Sequence, residues 1–187
     1  MQAAVSLFSE GGYEATSVAE ICAAAEASKG AFYHHFPSKQ DLFLNILNEW
    51  LDGIDERLFI RRETNETVPH ALLRMAKAIG FVFQAASGQL PMFMEFMVQA
   101  SRDAVIWQAA ISPYRRYQDQ FAALIAAGQA EGSVRADVDP AVTAQSIISL
   151  ALGVLLQSVM VAEAADWEAV ITYGIEAVVA NIQRSER

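Results

Sequence analysis

The residues best suited to chemistry crowd between Ser17 and Lys39. Within Lys29-Gly30-Ala31-Phe32-Tyr33-His34-His35-Phe36 an ammonium, a phenol and an imidazole stand around a small Gly-Ala pair. On a helix, Phe32, His35 and Phe36 share one side at i, i+3, i+4. Gly30, Tyr33 and His34 share the other, with Lys29 one turn before Tyr33. The first set is expected to pack inward, leaving the second outward as donors beside a patch where another backbone can come close. Such a surface suits a polyanion, because Lys, Tyr and His donate to phosphates or base edges. Helix starts expected at Ser17 and Ser38 would aim free amides at phosphates, with Lys39 adding a charge.

Other chemistries find less support. The sequence has no Gly-x-Ser-x-Gly elbow, no His-Glu-x-x-His, no phosphate loop and no Cys–His pair, so no enzyme activity is expected. No cofactor is expected either. His34 and His35 are adjacent and point apart on a helix, which disfavours a shared metal. Cys22, the single cysteine, reads as a packed core residue; with no partner for a disulfide and no basic-then-apolar leader, a reducing cytoplasmic setting is expected. Asp52, Asp55 and Glu56 read as a solvated helix face. The formal charge of −9 opposes bulk attraction to nucleic acid, and residues 1–48 hold two lysines against five carboxylates. Either a basic arm precedes this sequence, or binding relies on few ionic contacts.

The elements that must position these side chains are helical almost throughout. Helix one is expected over about Gln2–Glu10, stopping at Gly11-Gly12. Ser17-x-x-Glu20 is a capping box opening helix two, with Val18, Ile21, Cys22 and Ala25 as its apolar stripe. Glu26-Ala27-Ser28 forms the turn, helix three runs from Lys29 to about His35, and Pro37 ends it. Ser38-x-x-Asp41 caps a longer fourth helix. The polar run Arg61–Thr67 is the best boundary in the chain. Beyond it, helices are expected at about Val68–Ala86, Pro91–Arg102, Ala104–Glu131 (kinked or divided at Pro113), Pro140–Ala162 and Trp167–Arg184. Ala141–Ala162 carries no charge over 22 residues and is long enough to cross a bilayer. Its interior polar residues and acidic flanks favour a helix buried on nearly all sides, with no membrane involved.

These residues carry a resemblance. The string Ala4…Leu7-Phe8…Gly11-Gly12-Tyr13…Thr16-Ser17-Val18…Ile21…Ser28-Lys29-Gly30-Ala31-Phe32-Tyr33-His34-His35-Phe36…Ser38-Lys39…Leu42 resembles the DNA-binding domain of the TetR family. A weaker likeness continues through Gly128-x-x-x-Gly132-x-Val134-Arg135-x-Asp137-x-Asp139-Pro140. The resemblance implies an all-α fold of about nine helices and an Ω-shaped homodimer. A three-helix helix-turn-helix head would occupy 1–48 (motif 17–36), a connecting helix and boundary 49–66, and an effector-binding and dimerisation body 67–187. It implies that Thr16, Ser17, Ser28, Lys29, Gly30, Ala31, Tyr33, His34 and Lys39 meet double-stranded DNA at a palindromic operator.

For the body it implies an effector pocket, and Phe81, Met92, Phe93, Phe96, Met97, Trp107, Tyr114, Tyr117 and Phe121 are its candidate lining. Methionines and aromatics together suit an adaptable apolar cavity, hence a small lipophilic or aromatic effector. The dimer is expected on the last two helices, through Ala151 and Gly153 on one and a stripe of Ile171, Ile175, Val178, Val179 and Ile182 on the other. The reading is a ligand-responsive regulator of transcription, a repressor released by its effector. The alternative is a small-molecule sensor or carrier of the same fold with little DNA binding.

Overall fold

The computed structural model describes residues 1–58, 62, 65–79, 89–161 and 166–184. Among these the chain forms nine helices and no strand: α1 (Gln2–Gly11), α2 (Val18–Ala24), α3 (Lys29–His35), α4 (Lys39–Leu58), α5 (Val68–Ala78), α6 (Leu90–Ala100), α7 (Ala104–Glu131), α8 (Pro140–Met160) and α9 (Trp167–Ile182). They segregate into two compact units. The first holds Met1–Ile54 with α6 and α7 up to Pro113; the second holds α5, the rest of α7, α8 and α9.

An aromatic cluster binds the first unit. Phe43 stacks on Phe96 at 4.1 Å between ring centroids, and Tyr13 meets both edge-on at 5.2 Å. Phe8 closes on Tyr13 and Phe43, while Phe93 meets Phe43 and Trp50 at 5.3 and 5.1 Å. Each such pair contributes about 0.5–1.5 kcal/mol beyond the area it buries. Helix α6, which the sequence reading assigned to the regulatory half, thus supplies two rings to the core beneath the helix-turn-helix.

In the second unit α9 packs on α5 and α8. Ile171, Ile175, Val179 and Ile182 are buried there, so the stripe expected to meet a second subunit instead faces this chain's own core. Leu150 packs over Gly174, where a Cβ would lie 2.5 Å from Leu150 Cδ2 and oblige that side chain to shift. The loop after α7 is held by Glu131, which accepts from the Val68 amide (2.9 Å), Arg62 (2.7 Å) and the Ser133 hydroxyl (2.7 Å). Desolvation pushes its carboxyl upward, but these donors outweigh it and hold the group below the usual range. An isolated antiparallel bridge between Val134 and Gln183 ties the loop to the end of α9.

Several boundaries differ from expectation. Helix α7 is continuous through Pro113, so the proline does not divide it. Helix α2 ends at Ala24 and leaves Ala25 exposed. The end expected for α5 at Ala86, and Phe81 with it, lie outside the described residues. Pro140–Ser158 is indeed long and apolar enough to cross a membrane, yet only 28% of it is buried, so it is far from covered on all sides.

Candidate nucleic-acid interface

The capping box at Ser17 is complete. The Ser17 hydroxyl accepts from the Glu20 amide at 3.2 Å, and Glu20 Oε2 accepts from the Ser17 amide at 2.7 Å. These bonds hold the Glu20 carboxyl below its ordinary range, so the helix start is firmer above that range than in acid. Removing the hydroxyl by Ser17→Ala should cost about 1 kcal/mol, read as a lower denaturant midpoint at unchanged slope. Isothermal unfolding indistinguishable from wild type would show that solvent caps α2 equally well.

After α2 the chain turns sharply: the Ala27 amide reaches the Cys22 carbonyl at 2.9 Å, and Glu26 adopts φ 50°, left-handed backbone unusual for a residue with a Cβ. Ser28 then caps α3 by accepting from the Ala31 amide at 3.1 Å. Phe32 is buried and meets Phe36 at 5.7 Å. On the outer side Lys29, Gly30, Ala31 and His34 are exposed, and Tyr33 is 54% exposed. His35 is exposed as well, although its i, i+3 spacing from Phe32 predicts an inward position; Phe32 is the buried side chain of this two-turn helix, with Phe36 half-buried after it.

Two residues expected at the duplex are engaged elsewhere. Thr16 is 5% exposed, and its hydroxyl donates to the carbonyls of Gly12 (2.8 Å) and Leu7 (3.2 Å). Lys39 spends its ammonium on the carbonyls of Tyr13 (2.8 Å), Thr16 (3.0 Å) and Glu14 (3.2 Å), and lies 4.5 Å from the Tyr13 ring centre. Both side chains therefore hold the link between α1 and α2. A signal was present for Lys39, since a cation in the first turn of a helix opposes the macrodipole and needs anionic or carbonyl company. Lys29 is left as the Lys or Arg in residues 1–54 whose ammonium is not committed to a described protein partner. The phenol of Tyr13, buried near Glu14, Asp41 and Glu95, is pushed up to about 12, with burial the largest cause.

The sequence reading missed Glu95. From α6 its carboxylate accepts from the Tyr13 amide at 2.9 Å and the Glu14 amide at 2.6 Å. The visible hint was a single charge inside the apolar run Leu90–Val98.

The candidate effector residues divide. Met92, Phe93 and Phe96 are buried in the first unit's core, while Met97, Trp107, Tyr114, Tyr117 and Phe121 are half-buried. Tyr114 is hydrogen-bonded to Gln145, which also bonds Gln118 and Ser149. Burial, then a hydrogen bond from Tyr117 to Asp55, raises the Tyr117 phenol. The same Asp55 pairs with Arg116 at 2.7 Å. Among the described residues no group of three or more His, Cys, Asp or Glu side chains could hold a metal.

Residues 1–46 match the family described as bacterial regulatory proteins, tetR family, and residues 71–180 match the BetI-type transcriptional repressor C-terminal family. The chain belongs to the TetR family. The HTH-type transcriptional regulator UidR of Escherichia coli K12 is 28% identical over 97% of this chain and 90% of its own. Among solved structures, Salmonella enterica GusR superposes with a TM-score of 0.74 at 25% identity, covering 96% of this chain and 92% of that one. A Saccharomonospora viridis transcriptional regulator in complex with choline shares the fold, with a TM-score of 0.78 at 19% identity over 98% of this chain and 95% of its own. TetR-family proteins are ligand-responsive, DNA-binding transcriptional regulators rather than enzymes. The all-helical architecture expected from the sequence is the one found.

Proposed function

We propose that this TetR-family chain is a homodimeric cytoplasmic repressor that holds a palindromic operator and releases it when a small lipophilic or aromatic effector binds. One observation carries the reading: α3 buries Phe32 while turning Lys29, Gly30, Ala31, Tyr33 and His34 to solvent on its other side. Ser17 and Ser28, also exposed, complete the surface offered to DNA. Thr16 and Lys39 act indirectly, by fixing the link that sets the height of α2.

A second copy is needed to read a palindrome, with the two α3 helices about 34–36 Å apart in successive major grooves. Helices α8 and α9 supply a surface for it. Val142, Leu152, Leu156 and Met160 of α8 are exposed at helical spacing, as are Val170 and Tyr173 of α9, the last at 75%. Apolar side chains in such rows call for a covering partner, and two copies of the pair make a four-helix bundle. Gly153, where a Cβ would meet nothing within 4 Å, leaves room for close approach. Charging this surface with Leu152→Glu should convert dimer to monomer by analytical ultracentrifugation and remove operator binding with it. A dimer of unchanged strength would place the interface elsewhere.

Effector candidates remain partly open in each unit taken by itself: Met97 and Trp107 in the first, Tyr117 and Phe121 in the second. Binding releases the operator only as far as the ligand prefers the state whose heads do not fit successive grooves. The direct test is selection from a random duplex library followed by a mobility-shift assay at low salt. A palindromic winner, bound selectively over scrambled DNA, is the expected result; failure to enrich any sequence would sink the reading.

A further inference from the structure

The link between α1 and α2 is gripped from two sides by opposite charges that come from outside it. Lys39 of α4 takes the carbonyls of Tyr13, Glu14 and Thr16. Glu95 of α6 takes the amides of Tyr13 and Glu14. Glu95 forms no ion pair with a described cation, and its neighbours Phe93 and Phe96 are buried. Glu95 itself is half-buried, and a partly desolvated carboxylate is costly unless its charge is met. Here main-chain N–H groups meet it, and charge-assisted bonds of this kind are among the stronger ones. Gly12 makes the approach possible. Its φ is 84°, and a Cβ there would lie 2.8 Å from Glu95 Oε2, so a side chain would push the carboxylate away.

Two and three residues beyond the gripped amides come Thr16 and Ser17, and Ser17 starts the capping box of α2. Any displacement of α6 along its axis therefore pulls on the segment that sets where α2, and through its turn α3, begins. We infer that Glu95 is a positioning residue for DNA recognition, and that through it α6 acts on the helix-turn-helix directly, alongside α4. This rests on the DNA-binding reading above, but it concerns a contact that can be tested separately from it.

The test uses the full chain, wild type against Glu95→Ala and Glu95→Gln. The probes are a duplex selected by the wild-type chain from a random library and a scrambled version of it. Fluorescence anisotropy is referenced to active protein, so that a smaller folded fraction does not pass for weaker affinity. Glu95→Ala should weaken the selected duplex roughly tenfold or more, and the scrambled one by less than about twofold, since loose binding rests on phosphates. Glu95→Gln keeps one acceptor oxygen and should fall between. In hydrogen exchange, Tyr13 and Glu14 amides should exchange faster in Glu95→Ala while α2 and α3 stay protected. Equal loss on both duplexes would reduce Glu95 to a structural support, and unchanged exchange at Tyr13 and Glu14 would overturn the contact itself. If wild type enriches no duplex, the DNA reading fails alone, and exchange still decides the clamp. If Glu95→Ala strips protection from α2 and α3, Glu95→Gln carries the comparison.

Discussion

Lys29→Glu should lower operator affinity by on the order of 100- to 1,000-fold, measured by fluorescence anisotropy at low salt, with the thermal midpoint unchanged. The size of the effect follows from scarcity. Residues 1–48 carry five carboxylates and two lysines, and the structure commits Lys39 to three carbonyls of the chain itself. Lys29 is then the cation by which this head can neutralise a phosphate, and reversing it places a sixth carboxylate against the duplex. Folding should not notice, because Lys29 is exposed on α3 and the buried anchor of that helix is Phe32. The same scarcity fixes the salt response. A dimer using one such lysine per head should show a log–log slope near −2, about −0.9 for each phosphate neutralised. A slope several times steeper would mean that cations outside residues 1–48 carry the binding, and an affinity insensitive to Lys29→Glu would remove α3 from the interface.

Phe96→Ala should destabilise the chain by about 3–5 kcal/mol, the usual cost of emptying a large buried aromatic site. Phe96 is 0% exposed, stacked on Phe43 and met edge-on by Tyr13. Its removal opens a void among rings from α4, α6 and the α1–α2 link that cannot all move in to fill it. Denaturant unfolding reads the loss. The effect should extend to DNA, since Phe96 follows Glu95 and the void loosens the turn of α6 that presents the clamp. A cost below about 1 kcal/mol would show that the site collapses freely and that α6 is only loosely joined to the head. Tyr173, exposed on α9, offers the contrast: Tyr173→Ala should leave the stability of a single chain nearly unchanged and weaken only the association of copies.

Much of the head was legible because its signals are local. The capping box, the Ser28 cap, the span of α3 and the stop at Gly12 each depend on residues within a few positions of one another. The apolar side of α3 was read partly wrong at His35, because periodicity names a face without saying how wide the space beneath it is. For α9, the pattern Ile171, Ile175, Val179, Ile182 shows that one stripe must be covered, yet whether by α5 and α8 or by a second subunit is a matter of which surface is nearer. Hydrophobic spacing is blind to that choice. On α8, whose whole length is apolar, spacing alone does not separate the exposed row Val142, Leu152, Leu156 and Met160 from the buried Ile147, Ile148 and Val154.

The sequence by itself determined the helices, their caps, the two-helix motif and the outward set on α3, since hydrogen bonds within a helix and side-chain spacing along it are properties of neighbouring residues. Only the tertiary structure decided what the charges near the motif do. Lys39 and Glu95 bond to main-chain groups 23 to 26 and 81 to 82 positions away, and no rule of spacing reaches that far. Their oppositely charged ends close on one short link because folding brings α4 and α6 to it, and that convergence turns an expected phosphate contact into an internal brace.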